Sequence, residues 1–270
     1  MKRTSDPAPA APPAVLRLSP GQLARRYPRR PARGAVPAWL TVTPWLDHLR
    51  RHLLVAREGT NPEGVHQMRV ACGRLLVWLQ LGGRSVLRDD LHWLRRGAGE
   101  VRDLDVLLLS SPPAPFARWL RERLAEKREA LRAQLDDARL PALLEALEHL
   151  PPLRVEDADV AARRLRRRAR ARGSKLPTVR NAAALHALRR ALRRLRFAEE
   201  WRGKEQPKRL KRLQQTLGEM NDGAVALRIF DAFPERGGLR TYRAGLVARV
   251  ARARGEALRL WADGGAALEG

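Results

Sequence analysis

Apolar residues recur at helical spacing along most of the chain after residue 37, whereas no segment shows a convincing strand-like alternation. The apolar-striped segments are long, and only short Gly- and Pro-containing stretches separate them, such as "SSPPAP" (110–115) and "HLPPL" (149–153). This spacing is typical of amphipathic helices that bury one face. We therefore predict an all-α protein of about eight helices, in which residues 149–153 form the central break.

One helix start is well marked by the stretch "TNPEGVHQMRV" (60–70). Thr60 or Asn61 can cap the helix, and Pro62 suits the first helical position. Glu63 then places a negative charge at the positive end of the helix dipole. The stretch therefore predicts a helix that begins at about residue 62.

The first 37 residues differ in composition from the rest of the chain. They contain eight prolines and eight bases, but only one acid. Each proline removes a backbone donor and restricts the residue before it, which opposes a packed helix. We predict that residues 1–37 are a disordered, basic Pro/Ala-rich tail and that residues 38–262 form the folded domain.

Two blocks of sequence recur at nearly the same offset. His66 and His186 are 120 residues apart, and the glycines that begin "GEVRDLDV" (99–106) and "GEMNDGAV" (218–225) are 119 residues apart. Matched blocks in the same order favour an internal duplication over chance similarity between helices. We therefore predict two similar helical halves, about 38–150 and 153–262. The duplication pairs Arg69 with Arg189, Arg74 with Arg194, and Asp103 with Asp222.

The net charge of the chain limits the kinds of molecule that it is expected to bind. The chain has 54 Lys and Arg against 29 Asp and Glu, a formal net charge of +25. Residues 159–212 alone hold 20 bases and four acids, an excess of 16. A concentrated charge of this size repels itself unless a polyanion relieves it.

The single cysteine, Cys72, excludes a disulfide framework within the chain and a Cys-based metal site, and a reducing cytoplasm fits.

The stretch "LHALRRALRRLRF" (185–197) concentrates its bases on one helical face. At roughly 100° per residue, four arginines lie within about 80° of His186, and leucines occupy the opposite side. These four are Arg189, Arg190, Arg193 and Arg196. Neighbours on a helical face are about 5 to 6 Å apart, so the guanidinium groups repel one another unless an anion lies between them.

Flanking segments add further bases. The preceding helix contributes Arg167 and Arg170, and the following one Lys208, Lys211 and Arg212. If the three helices pack side by side, their bases line one groove. Guanidinium groups donate in pairs to phosphate oxygens and keep their charge, so phosphate is the expected ligand chemistry. The alternative is a solvated basic face without a ligand.

Four stretches together resemble the paired motifs of the CHAD family, the conserved histidine α-helical domain. They are "VHQMRVACGRL", "VRDLDVLL", "LHALRRALRRLRF" and "LQQTLGEMNDGAV", and the resemblance spans about residues 38–262. It implies two pseudo-symmetric helical bundles around a basic central surface, and non-enzymatic binding of inorganic polyphosphate. By motif position, the implied binding residues of the first half are His66, Arg69, Arg74 and Arg102. Those of the second half are His186, Arg189, Arg193, Arg194 and Arg196.

The first half departs from the family pattern. Gly73 and Leu76 stand at positions that are usually basic, whereas the second half keeps Arg193 and Arg196. Phe197 stands where a tyrosine is common, which removes one hydroxyl contact. Gly73 also weakens its helix by up to about 1 kcal/mol relative to alanine unless close packing requires it. We expect the second half to dominate ligand affinity.

Catalysis and metal binding are not expected. Neither His66 nor His186 has a second histidine or a carboxylate three or four residues later, and both lie beside arginines that repel a cation. Asp103 and Asp105 are about 200° apart on a helix, so we expect them to orient nearby arginines rather than share an ion. The chain carries no catalytic triad order, phosphate-cradling glycine loop or Glu-x-Glu-x-Lys signature. We predict neither a cofactor nor a metal.

Two other functions stay open at this point. Nucleic acid offers phosphates to the same arginines, although aromatic residues that would stack on bases make up only 5% of the chain. A helical scaffold on polyphosphate granules would keep the fold but make protein contacts primary. No stretch approaches the roughly 18 apolar residues of a membrane span. We therefore expect a cytoplasmic protein, with polyphosphate granules as a further location.

Overall fold

This computed structural model describes residues 39–176 and 181–264. These residues contain nine α-helices and two very short strands. The first five helices are α1 (Thr43–Glu58), α2 (Pro62–Leu81), α3 (Arg88–Leu109), α4 (Ala114–Asp136) and α5 (Arg139–Glu148). The others are α6 (Val155–Gly173), α7 (Ala182–Trp201), α8 (Lys208–Asp231) and α9 (Arg240–Gly264), with a 3-10 helix (Arg236–Leu239) before α9. The all-α prediction is confirmed. The predicted tail, residues 1–37, lies outside the described residues.

Asparagine caps begin the two helices that carry the predicted histidines. Asn61 Oδ1 accepts a hydrogen bond from the backbone N–H of Glu63 at 2.8 Å, and Pro62 is the first residue of α2, as the sequence predicts. Asn181 Oδ1 accepts from the backbone N–H of Ala184 at 2.8 Å at the start of α7. Each cap satisfies an otherwise unpaired amide of the first turn. His66 and His186 are consequently each the fifth residue of a capped helix.

The two strands join the start of the first half to the start of the second. β1 (Trp39–Leu40) pairs antiparallel with β2 (Leu153–Arg154), with Leu40 opposite Leu153. The fully buried Trp78 of α2 donates its indole N–H to the carbonyl oxygen of Leu40 at 3.1 Å. This bond satisfies a polar group that would otherwise be costly to bury.

Helix neighbours follow the same order in both halves. In the first half α1 packs on α2, α2 on α3, and α3 on α4; in the second half α6 packs on α7, α7 on α8, and α8 on α9. The halves meet where α2 packs on α7 and α3 packs on α8, while α5 covers α1, α3 and α4. A duplication would produce this repeated order, although the duplication itself stays a prediction.

A close helix crossing explains Gly73 on α2. A Cβ atom at residue 73 would lie 3.0 Å from Cε2 of Phe197, which is buried on α7. On the same interface, Trp201 donates its indole N–H to the carbonyl oxygen of Arg74 at 3.0 Å. The glycine that weakens α2 locally therefore lets α2 and α7 approach, and this approach brings the basic face of α7 to the first half.

Gly64 makes an even closer contact and provides a test of the packing. A Cβ at residue 64 would lie 2.6 Å from the backbone nitrogen of Ala56 on α1, which cannot move without displacing the helix. We expect Gly64→Ala to lower the free energy of unfolding by about 1–3 kcal/mol. The matched control is Gly245→Ala in α9, where the added Cβ meets open space and should stabilise by roughly 0.5–1 kcal/mol. Urea titrations of both variants check the pair, and a neutral Gly64→Ala would contradict the α1–α2 packing.

Candidate functional site

An open cleft of about 450 Å³ lies between α2 and α3, and we call it the α3 cleft. It is lined by Arg69, His92, Arg95, Arg96, Gly99, Glu100 and Asp103. Arg69 comes from α2 and reaches over Gly99, where a Cβ would lie 2.9 Å from its Nη1. The missing side chain at residue 99 therefore leaves room for the guanidinium group of Arg69 in the cleft.

Arginines of α7 extend this cleft into a larger group, the central arginine cluster, which comprises Arg69, Arg95, Arg189, Arg193 and Arg194. Burial and, to a smaller extent, repulsion from the other four arginines together lower the pKa of Arg193 to about 8. Burial also lowers the pKa of Arg95, with Arg69, Arg189 and Arg194 adding to the effect. Five guanidinium groups from both halves thus share one partly buried region.

The two innermost members of the cluster lack counter-ions. Within residues 39–176 and 181–264, neither Arg95 nor Arg193 forms an ion pair, and the buried Nε of Arg95 has no hydrogen-bond partner. A buried charge without a partner is held at a free-energy cost. An anion that enters the α3 cleft would relieve this cost.

The carboxylates of Asp103 and Asp222 interact with two arginines of the cluster, Arg69 and Arg189. Arg69 Nη1 lies 3.5 Å from Asp103 Oδ1, and Asp222 acts electrostatically on Arg189 and on Asp103. Burial raises the pKa of Asp103, while Arg69 opposes this shift. The residues that the sequence repeat pairs, Arg69 with Arg189 and Asp103 with Asp222, therefore interact across the boundary between the halves.

Asp105 also holds an arginine. Its buried carboxylate accepts a hydrogen bond from Arg128 Nη2 at 3.1 Å. The prediction that Asp103 and Asp105 orient nearby arginines is confirmed, and the two acids do so on different sides of α3.

Both predicted histidines lie beside bases. Burial lowers the pKa of His66, and the charges of Arg102, Arg69 and Arg74 lower it further, whereas the charge of Glu63 raises it. Burial likewise lowers the pKa of His186, with Arg190 and Arg189 adding, while a hydrogen bond with Asn221 opposes the shift. At neutral pH the two imidazoles are therefore uncharged.

The sequence and the fold both identify the family of this chain. A sequence-family model described as CHAD domain matches residues 41–231. The chain belongs to the CHAD family. The CHAD domain from the plant Ricinus communis is similar at 26% identity and a TM-score of 0.59, over 84% of this chain and 86% of that chain. PptA from Streptomyces chartreusis has a similar fold, with 18% identity and a TM-score of 0.67 over 82% of this chain and 96% of that chain. No curated protein matches the chain.

Arg74, a predicted ligand of the CHAD domain, has protein partners at Nε, at Nη2 and on its guanidinium group, whereas its buried Nη1 has no hydrogen-bond partner in the described part of the chain. Its Nη2 lies 2.7 Å from Glu200 Oε2, and its guanidinium carbon lies 4.0 Å from the Trp45 ring centroid and 4.6 Å from that of Phe197. Arg196 reaches the same carboxylate, with Nε 3.4 Å from Glu200 Oε1. Glu200 therefore couples two predicted ligands to the α2–α7 interface.

Arg167 and Arg170 line a different depression of about 400 Å³, which we call the α6 cleft. Its floor consists of Asp159, Arg166, Glu199 and Arg202. Its rim consists of the exposed Arg163, Arg167, Arg170 and Lys204. The α3 cleft and the α6 cleft share no lining residue.

The predicted bases of α8 line neither cleft. Lys208 and Lys211 are exposed near the start of the helix, and Arg212 Nη2 forms an ion pair with Glu256 Oε1 at 2.9 Å. The sequence predicted a single groove along α6, α7 and α8. The structure instead distributes these bases over separate surfaces, so the single groove is not confirmed.

Sequence reasoning missed Arg95, together with His92 and Arg96 of the α3 cleft. At the repeat offset of 119 residues, Arg95 aligns with Gln214. A search for residues that the two halves share therefore does not find Arg95. The available signal was the Arg95–Arg96 dipeptide just before "GEVRDLDV". Arg95 comes from the half that the sequence predicted to be depleted, and so the central cluster draws on both halves.

Other site classes receive no support from the part of the chain that is described. There, no group of three or more His, Cys, Asp or Glu side chains is arranged to hold a metal ion. Among the same residues, no helix is both long and apolar enough to span a membrane. Burial raises the pKa of the Cys72 thiol to about 12, so this group is not a nucleophile at neutral pH.

Proposed function

We propose that this protein binds inorganic polyphosphate without catalysing a reaction, and that the α3 cleft with the central arginine cluster is the main binding site. CHAD domains are associated with polyphosphate. The observation that carries the proposal is the pair of partly buried, unpaired guanidinium groups of Arg95 and Arg193. A chain of phosphates supplies a negative charge at each unit, and its oxygens match the planar donors of arginine.

The lining of the α3 cleft favours a ligand without bases. None of its described residues is Phe, Tyr or Trp, and the tryptophans next to α2 are covered, because Trp78 is buried and Trp45 lies under Arg74. Single-stranded nucleic acids gain much of their affinity from stacking on such rings. We infer that nucleic acid is the weaker ligand and that the protein acts in the cytoplasm, where polyphosphate granules would be its location.

Competition at one ionic strength tests the proposal. Labelled long-chain polyphosphate is bound to the full chain and displaced by unlabelled polyphosphate, single-stranded RNA or duplex DNA at equal phosphate concentration. Counterion release affects all three ligands, so the common salt keeps the comparison fair. We expect polyphosphate to compete best. Equal or better displacement by RNA or DNA would favour the nucleic-acid function, and granule attachment that survives removal of polyphosphate would favour the scaffold.

The histidines predict a pH dependence of binding. In the empty protein the pKa values of His66 and His186 are lowered, whereas an adjacent phosphate raises the pKa of an imidazole. A group with a higher pKa in the bound state takes up a proton on binding, so affinity rises as pH falls through that pKa. We expect binding to be several-fold tighter at pH 6 than at pH 8, and the gain to reach about tenfold for each pKa unit of difference only below the pKa of the unbound imidazole.

Long-chain polyphosphate suits this measurement, because its internal phosphates do not titrate in that range. His92 lines the α3 cleft, and burial lowers its pKa as well, so it belongs with the two predicted histidines. The triple variant His66→Gln/His92→Gln/His186→Gln should lose the dependence. His48 needs no substitution, since burial lowers its pKa to about 4 and it stays neutral throughout. Equal wild-type affinities at pH 6 and pH 8 would show that the histidines only hold helix contacts.

A further inference from the structure

The α6 cleft has a floor whose charges are already balanced. Glu199, which is buried, accepts hydrogen bonds from Arg202 Nη1 at 2.8 Å and from Arg166 Nη2 at 2.9 Å. Arg202 also forms an ion pair with Asp159. Two acids and two bases therefore neutralise each other and hold the end of α7 against α6.

The rim of the α6 cleft, in contrast, has an uncompensated positive charge. Arg163, Arg167 and Lys204 are exposed, and none of them has an ion-pair partner among the described residues. Arg170 adds a fourth base to the rim. The three unpaired charges of Arg163, Arg167 and Lys204 beside a neutral floor attract anions, and the cleft of about 400 Å³ is similar in size to the α3 cleft of about 450 Å³.

Helix geometry separates this rim from the central arginine cluster. At roughly 100° per residue, Arg163, Arg167 and Arg170 lie within a stripe about 60° wide on α6. Arg168, the α6 residue that acts electrostatically on Arg194 of the cluster, lies at least about 100° outside this stripe. The exposed Arg164 lies on the arc between the stripe and Arg168. The two basic surfaces therefore point in different directions and are joined by an exposed edge of α6.

Resting on the proposed function, we propose that the α6 cleft is a second, separate site that binds a distant stretch of the same long polyphosphate chain. The cleft presents guanidinium and ammonium groups but no aromatic ring among its lining residues, so it suits phosphates and not bases. A flexible chain that occupies both clefts gains affinity from effective concentration. A short chain, which fills only the central cluster, gains nothing from the second site.

Chain length provides the test. The variant Arg163→Ala/Arg167→Ala/Lys204→Ala leaves the paired floor intact, and the control Arg118→Ala/Arg121→Ala/Arg249→Ala removes three exposed arginines that line neither cleft. Affinities for tripolyphosphate and for long-chain polyphosphate are measured at one ionic strength, after confirming that both variants fold. We expect the α6 variant to lose roughly tenfold more long-chain affinity than the control. Its tripolyphosphate affinity should match that of the control.

Each other outcome overturns the proposal in a distinct way. Equal long-chain losses in the two triple variants would show that the α6 cleft contributes only its share of the overall charge. A tripolyphosphate loss as large as the long-chain loss would show that the two clefts form one site. If the wild-type protein binds neither ligand, the proposed function fails and the second site fails with it, whereas the first two outcomes leave the proposed function standing.

Discussion

The double variant Arg95→Met/Arg193→Met should lose affinity for long-chain polyphosphate by about 100-fold or more, because each guanidinium group makes charge-assisted hydrogen bonds worth about 1.5–3 kcal/mol. The same variant should be more stable than the wild type when no ligand is present. Burial and neighbouring arginines lower the pKa values of both residues, so both charges are held at a free-energy cost that methionine removes. Opposite effects on binding and on stability are typical of a site that is organised for its ligand.

Isothermal titration and urea unfolding measure the two effects. The control Arg118→Met/Arg121→Met removes two exposed arginines from α4 and should change affinity only a few-fold. Similar affinity losses in both double variants would indicate a diffuse electrostatic attraction. The single variants show how much each half contributes to ligand affinity. Equal losses for Arg95→Met and Arg193→Met would show that the two halves contribute equally. A much larger loss for Arg193→Met would support the dominance of the second half that the sequence predicts.

Arg74→Ala should mainly destabilise the protein, by about 2–4 kcal/mol, and should leave the affinity of the folded protein for polyphosphate within about threefold. The side chain of Arg74 is only 14% exposed, it lies between two aromatic rings, and it forms an ion pair with Glu200. Its removal leaves a cavity between α2 and α7 and frees a carboxylate next to Arg196. Urea unfolding without ligand gives the stability, and binding is measured at a temperature at which the variant is folded.

Arg102→Ala is the matched control for Arg74→Ala. Arg102 is also a predicted ligand on the first half, but it is partly exposed and forms no ion pair among residues 39–176 and 181–264. We expect its removal to change the free energy of unfolding by less than about 0.5 kcal/mol. If Arg74→Ala instead kept the wild-type stability and lost polyphosphate affinity, Arg74 would be a ligand-binding residue, as its motif position implies.

Much of the helical framework was predictable because its signals are local. The spacing of apolar residues predicted an all-α protein, and Asn61 with Pro62 predicted where α2 begins. The two acids of "VRDLDV" were expected to contact arginines, and Asp103 and Asp105 each do so. These features depend on a few neighbouring residues and on helical geometry, which a sequence displays directly.

The composition of the site was less predictable. Arg69, Arg189, Arg193 and Arg194 were predicted as ligands, and the structure brings them together. Arg95 joins them only because α3 packs on α2, and α2 on α7. Arg74 has the same residue type and a matching motif position, yet the aromatic rings of Trp45 and Phe197 enclose it. Residue type indicates what a side chain can bind, but not which neighbours reach it first.

The sequence by itself determined that this chain is helical and strongly basic, and it predicted an internal duplication, because periodicity, charge and repetition are properties of the residues in order. Only the tertiary structure decided which arginines are free for a ligand. It partly buries Arg95 and Arg193 without counter-ions among the described residues, pairs Arg74 with Glu200, and turns Arg167 and Arg170 away into the α6 cleft. The physical reason is that counter-ions and burial come from helices distant in sequence, and the packing of α2, α3, α6 and α7 sets which helices meet.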